Sequence, residues 1–192
     1  MKKIILLIAA ISTTALSYAQ KALLSLNEQN QYTYFEVKQI STTPDIASLA
    51  NYIKKQITGV QTAEQGHEAV NVTGKGIALV YKQGLITGQE EGQISYNLSI
   101  DFKDRKYRLL LTDFEFTPYQ RNRYGVFAPA NGIKIPLEKA EGKITTKQLN
   151  SYLDKLGAYS AKLSKQLNDY LTNPAAVKVN PAGLKKVDTK NW

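Results

Sequence analysis

Gln93-Ile-Ser-Tyr-Asn-Leu-Ser-Ile-Asp-Phe102 alternates without a break, Ile94, Tyr96, Leu98, Ile100 and Phe102 against Gln93, Ser95, Asn97, Ser99 and Asp101. A two-residue period places the first set on one face of a strand and the second on the other, one buried and one wet. Asp104-Arg105 then reads as a tight turn into a second β-rich run, Lys106–Phe116. With those two residues as the loop, Phe102 faces Tyr107, Ile100 faces Leu109 and Leu98 faces Leu111, while Asp101 meets Arg108 on the other side. Apolar pairs on one face and an opposite-charge pair on the other support that register. Leu110, Phe114 and Phe116 fall on the wet face, so a cover or a twist is expected there. Pro118 is expected to end the strand.

Upstream of this hairpin, Val70–Thr73 and Ile77–Lys82 read as strand segments, with Gly74 and Gly76 between them as a bulge or turn. Residues 60–68 and Gln83–Gly92 read as connections. Tyr32, Tyr34, Phe35, Val37 and Ile40 mark a strand over 31–40. The next element is a helix, with Thr43 as N-cap, Pro44 at N1 and Asp45 in the first turn. Ile46, Leu49, Ala50, Ile53 and Ile57 form its single apolar stripe.

Downstream, residues 119–132 read as a polar, arginine-bearing loop, and Asn131-Gly132 as a turn. Ile133, Ile135 and Leu137 make a short strand that Pro136 assigns to an edge. Thr145 and Gln148 form a capping box, opening a long helix. Leu149, Leu153, Leu156, Leu163, Leu167 and Leu171 line one side of it, flanked by Tyr152, Tyr159 and Tyr170 with wet hydroxyls. The sum is an α+β chain, β-α-β-β-β-β-α: a curved antiparallel sheet with both helices on one face.

Lys2 and Lys3 precede an apolar run, Ile4–Ile11, and Ser17-Tyr18-Ala19 supplies small residues at −3 and −1 of a cleavage site. Residues 1–19 are therefore expected to be an export signal removed between Ala19 and Gln20. An N-terminal linker over 20–30, one domain over 31–172 and a flexible basic tail over 173–192 complete the expected organisation. The mature chain shows no second apolar stretch of membrane-spanning length, and it is expected in the periplasm or at the cell surface.

The segment from Tyr96 through Phe114, together with the preceding strand–helix and the Gly-bearing strand near Val72–Tyr81, resembles a known family. Over Tyr34 to Thr117 the chain is similar to a domain family of unknown function, widespread in exported Bacteroidetes proteins and described as having a TATA-binding-protein-like (TBP-like) fold. Arg105 departs from that pattern at the hairpin turn, where glycine is usual. The resemblance implies a fold and an exported setting. It implies no activity and no catalytic residue, and shape alone does not license DNA binding.

The 192-residue chain has no cysteine. That excludes disulfides, thiolate metal ligands, a cysteine nucleophile and an acylated lipoprotein cysteine. One histidine, His67, in a polar stretch near Glu64 and Glu68, reads as a solvated side chain. Asp101, Asp104, Asp113 and Glu115 invite a carboxylate-pair hydrolase, although cross-strand pairing and turn chemistry account for most of them. Gly74-Lys75-Gly76 lacks the remainder of a phosphate loop. The most ligand-like group is Tyr119, Arg121, Arg123 and Tyr124, since arginine and tyrosine dominate interface hot spots. A formal charge of +9 allows a polyanion partner, but the basic residues are dispersed along the chain. The expected function is that of a non-catalytic exported envelope domain, without cofactor or metal, that binds a protein or glycan. A hydrolase using the hairpin carboxylates and a polyanion-binding module are the alternatives, with nucleic acid the less favoured partner.

Overall fold

In the computed structural model of the chain, residues 23–66, 70–82 and 88–173 are described. Asp104 (φ 52°) and Arg105 (φ 56°) turn strand β5 (Gln89–Lys103) into β6 (Lys106–Arg121). Positive φ at both central residues defines the mirror-image hairpin turn whose twist matches that of the flanking strands. Arg105 occupies a conformation that glycine adopts more cheaply, and its carbonyl accepts from the Ile40 N–H at 2.9 Å, tying the turn to the neighbouring strand. The register follows the alternation: Phe102 opposite Tyr107, Ile100 opposite Leu109, Leu98 opposite Leu111 and Asp101 opposite Arg108.

That register breaks once. Ser95 pairs with Glu115 and Asn97 with Thr112, so β6 takes three steps where β5 takes two. The extra residue is accommodated at Asp113, whose φ is 55°. A bulge reverses the phase of the strand beyond it. Phe114 and Phe116, which simple alternation puts on the wet face, are in fact buried in the core. Leu110 lies before the bulge and stays on the open face, half-buried and paired with Phe35.

β6 does not end at Pro118. It continues to Arg121, and Pro118 forms the last rung of the β5 ladder opposite Gly92. The Pro118 carbonyl accepts from the Ala130 N–H at 2.8 Å, and the missing proline N–H is tolerated where a ladder finishes. Residues 119–121 pair with β7 (Phe127–Pro129), so most of the expected 119–132 loop is a second hairpin. β8 (Ile135–Pro136) adds at Glu115–Phe116, and a 3-10 turn over Leu137–Lys139 follows it.

Across the sheet the order is β1 (Ser25–Leu26), β2 (Tyr32–Gln39), β6, β5, β4 (Asn71–Lys82), β3 (Val60–Gln65), with antiparallel pairing throughout. β1 lies in the stretch read as a linker. β3 corrects the reading of residues 60–68 as a connection. It is an edge strand that turns only Val60 and Ala63 inward, and a bulge between Val60 and Thr62 erases its alternation. β4 is one unbroken strand through Gly74 and Gly76. Its glycines make room for neighbours: a Cβ at Gly76 would fall 2.2 Å from the Tyr96 ring, and one at Gly74 2.2 Å from the Thr62 carbonyl.

Helix α1 (Ile46–Gln56) begins two residues later than expected. Asp45, not Thr43, is the N-cap and accepts from the Ser48 N–H at 2.9 Å. The five stripe residues are all buried. Helix α2 (Thr146–Thr172) opens with the expected Thr145–Gln148 capping box, and Leu153, Leu156, Leu163, Leu167 and Leu171 are buried. Both helices join the same core as the inner sheet residues, from Val72 and Leu98 to Phe116. They touch each other through stacked Tyr52 and Tyr170, with ring centroids 3.9 Å apart. The opposite face of the sheet leaves Phe35, Val37, Leu79 and Tyr81 exposed. The result is the expected α+β arrangement, an open antiparallel sheet with two helices on one side. His67, the segment 1–19 expected to be an export signal and the segment beyond Asn173 expected to be a flexible tail lie outside the described residues.

Candidate functional site

The four residues singled out from the sequence sit at one end of the sheet, on the β6–β7 hairpin. Tyr119 and Arg121 belong to β6, whereas Arg123 and Tyr124 form the loop beyond it. Asn122 organises that loop, its Oδ1 accepting from the Tyr124 N–H at 2.9 Å and the Val126 N–H at 3.0 Å. One asparagine side chain thereby satisfies two loop donors, a turn device that fixes the backbone without a core.

Rings and guanidiniums pair off at the tip. Arg121 lies 5.3 Å over the Phe127 ring and Arg123 5.0 Å over the Tyr124 ring. Such contacts hold a long cationic side chain against an apolar surface. Tyr124 and Val126 nonetheless remain 75% and 59% exposed. Tyr119 does not belong to this tip. It is half-buried, its hydroxyl donates to Gln93 Oε1 at 3.0 Å, and burial, then the charges of Glu90 and Tyr81, push its phenol up. The structure thus joins Arg121, Arg123 and Tyr124 with Val126 and Phe127, and assigns Tyr119 to the scaffold.

Of the four acidic residues of the first hairpin, Asp101 and Asp104 stand apart, whereas Asp113 and Glu115 both line a cavity of about 460 Å³ with Lys75 and Lys134. Asp101 accepts from Arg108 Nε at 3.1 Å and Nη2 at 2.9 Å. Asp104 is in the turn, Asp113 is in the bulge, and Glu115 meets Lys134 at 3.3 Å. Gly74-Lys75-Gly76 is mid-strand, with no helix start behind it. Among the described residues, no group of three acidic or histidine side chains could hold a metal ion.

A half-buried polar network escaped the sequence reading. Glu36 and Lys38 project from β2 toward α2. Tyr34 donates to Glu36 Oε2 at 2.8 Å, Ser164 of α2 donates to the same oxygen, and Lys38 donates to Ser164 at 3.2 Å. Burial works to raise the Glu36 carboxyl, but hydrogen bonds from Ser164, Lys38 and Tyr34, and the Lys38 charge, outweigh it and hold the group below its ordinary value. Burial, then bonding to Glu36, pushes Tyr34 up to about 12. The signal lay in Tyr34, Glu36 and Lys38 sharing one strand parity, opposite to Phe35 and Val37. Tyr152 and Tyr159 also correct the expectation of wet hydroxyls. Tyr152 is 1% exposed, and the Tyr159 hydroxyl bonds the Tyr96 hydroxyl at 2.6 Å and the Thr58 carbonyl at 3.0 Å.

Strand order and helix placement define the class, an α+β open-sheet domain. No protein-family model and no curated protein matches the sequence. Two solved structures are similar in shape. One is a DUF4468 family protein from Bacteroides ovatus, 10% identical, with a TM-score of 0.49, covering 76% of this chain and 88% of that one. The other is a TBP-like protein from Parabacteroides distasonis, 13% identical, with a TM-score of 0.46, covering 71% and 90%. Their descriptions agree with the resemblance read over Tyr34 to Thr117. Likeness of this degree concerns shape alone.

Proposed function

We propose that the chain is a non-catalytic, exported envelope domain that grips a protein partner with the tip of its β6–β7 hairpin. The observation that carries this reading is the exposed cluster of Arg121, Arg123, Tyr124 and Val126 on a loop already ordered by Asn122. Arginine and tyrosine on a pre-ordered loop bind with little further entropic cost. Asp113 accepts from Asn97 and Thr112 and Glu115 is paired with Lys134, and carboxylates so engaged favour binding over hydrolysis. Pairing of Asp101 with Arg108 and of Glu115 with Lys134 on the open face disfavours a polyanion there. The segment Lys2–Ala19 supports export.

The experiment is a pull-down from envelope extract with wild type, Arg121→Ala/Arg123→Ala and an Asp101→Ala control. Loss of the captured protein in the double variant alone, with an unchanged melting temperature, is the expected result. Equal recovery by all three retires the hairpin as the site. Binding to sedimented envelope polysaccharide that the double variant loses would replace the protein by a glycan. N-terminal sequencing of the envelope-fraction chain is expected to begin at Gln20, and a retained Met1 would overturn export.

A further inference from the structure

The cavity of about 460 Å³ on the open face of the sheet falls within the range of small-molecule sites, roughly 300–1,000 Å³. The bulge in β6 shapes it. The extra residue turns Asp113 and Glu115 toward this face, where Gln93 and Asn97 of β5 and Lys75 of β4 also stand. Lys134, just ahead of β8, completes the wall. The charged wall residues are thus two lysines and two acids. A wall so balanced exerts little net pull on an anion or a cation.

Hydrogen bonding is what the wall offers instead, and one end of each group is already fixed. Gln93 is held through Oε1 by the Tyr119 hydroxyl, Asn97 through Nδ2 by Asp113 Oδ2, and Glu115 through Oε2 by Lys134. The opposite ends, Gln93 Nε2, Asn97 Oδ1, Asp113 Oδ1 and Glu115 Oε1, have no partner among the described residues. Asn97 and Asp113 are exposed, and Gln93 and Glu115 are half-buried, so a ligand can reach them. Donors on Lys75 and Gln93 therefore stand beside acceptors on Asn97, Asp113 and Glu115. A hydroxyl both donates and accepts, so neighbouring hydroxyls can satisfy such a mixed array, which an ionised carboxylate, acceptor only, cannot. Half-buried Ile77 adds an apolar surface for the C–H face of a ring. Side chains anchored beforehand lose less freedom when a ligand arrives.

We infer that this cavity binds a neutral sugar residue through Lys75, Gln93, Asn97, Asp113 and Glu115. Arg121, Arg123 and Tyr124 do not line it, and its failure would leave the hairpin reading untouched.

The test is amide NMR of the full chain titrated with glucose, galactose, mannose, N-acetylglucosamine, maltose and cellobiose, with glucuronate and glycerol alongside. Saturable shifts at the Ser95 and Asn97 backbone amides and the Gln93 and Asn97 side-chain amides are expected with at least one neutral sugar. The dissociation constant should rise about threefold to tenfold in Gln93→Ala and in Glu115→Gln, and about tenfold in Lys75→Ala. The remainder of the amide spectrum reports whether each variant is folded. Tighter binding of a disaccharide than of its monosaccharide would assign the site to a sugar chain, and equal binding to a single sugar. The inference is overturned by no saturable shift with any neutral sugar, by the same shifts with glycerol, by tighter binding of glucuronate than of glucose, or by binding that none of the three variants alters.

Discussion

Asn97 Nδ2 donates to Asp113 Oδ2 at 2.8 Å, bridging β5 and β6 where their register breaks. Thr112 Oγ1 donates to the same oxygen at 3.0 Å. The aspartate holds a left-handed backbone through its own side chain, and every residue from Phe114 onward takes its facing from that bulge. Asp113→Ala keeps the backbone demand and loses both bonds, so it should cost about 1–2 kcal/mol in urea denaturation. Asp113→Gly loses the same bonds but relieves the backbone, and should be the milder change. Equal costs for the two would refute a conformational role for this position.

Leu156 is 1% exposed on the buried face of α2. Truncation to alanine removes packed atoms and leaves a cavity, costing about 2–5 kcal/mol. An unchanged denaturation midpoint would mean that α2 is not part of the cooperative core.

At Gly76 there is no room for a side chain, because a Cβ would fall 2.2 Å from Tyr96 Cζ and its hydroxyl oxygen. Gly76→Ala should therefore displace Tyr96 and cost about 1–3 kcal/mol. It should also break the Tyr96–Tyr159 hydroxyl pair. In a double-mutant cycle, the penalty of Tyr159→Phe should shrink when Gly76→Ala is already present. Additive penalties would show that the ring stays in place.

Glu36 links acidity to stability. Its carboxyl sits below the ordinary value of 4.5 in the folded chain. The associated stabilisation is present above that unfolded value and is lost as pH falls through the lower folded one. Between pH 6 and strongly acidic solution, wild type should lose more stability than Glu36→Gln, which has no proton to take up there. Parallel pH profiles would exclude a role for this carboxylate. Tyr34, Lys38, Ser164 and the Tyr107–Asn168 pair surround the same junction.

The β5–β6 hairpin was legible because its signals are local. Alternation, a two-residue turn and the Asp101–Arg108 pair all lie within a few residues of one another. The stripes of α1 and α2 were legible for the same reason. β3 was not, because an edge strand with only Val60 and Ala63 turned inward has a loop-like composition. The bulge at Asp113 was hidden as well, since a left-handed aspartate is fixed by an asparagine on another strand. At the candidate site the arginine–tyrosine composition stood out. The hairpin that separates Tyr119 from the tip did not, because β6 runs on through a proline. The Glu36–Ser164 junction joins residues far apart in the chain, and no local pattern announces it.

The pairing of β2 with β6 has a kinetic consequence. β4, β5 and β6 form a meander whose central rungs close through a two-residue turn, so its contacts are cheap in chain entropy. β2 must instead find the outer edge of that meander from a distant part of the chain. Lys38 of β2 then meets Ser164 of α2 across 126 positions. The meander is accordingly expected to be the early unit of folding, and the docking of β2 with α2 the late step. A nascent chain that has emerged only as far as Arg121 holds the whole meander and none of the helix that locks β2 in place.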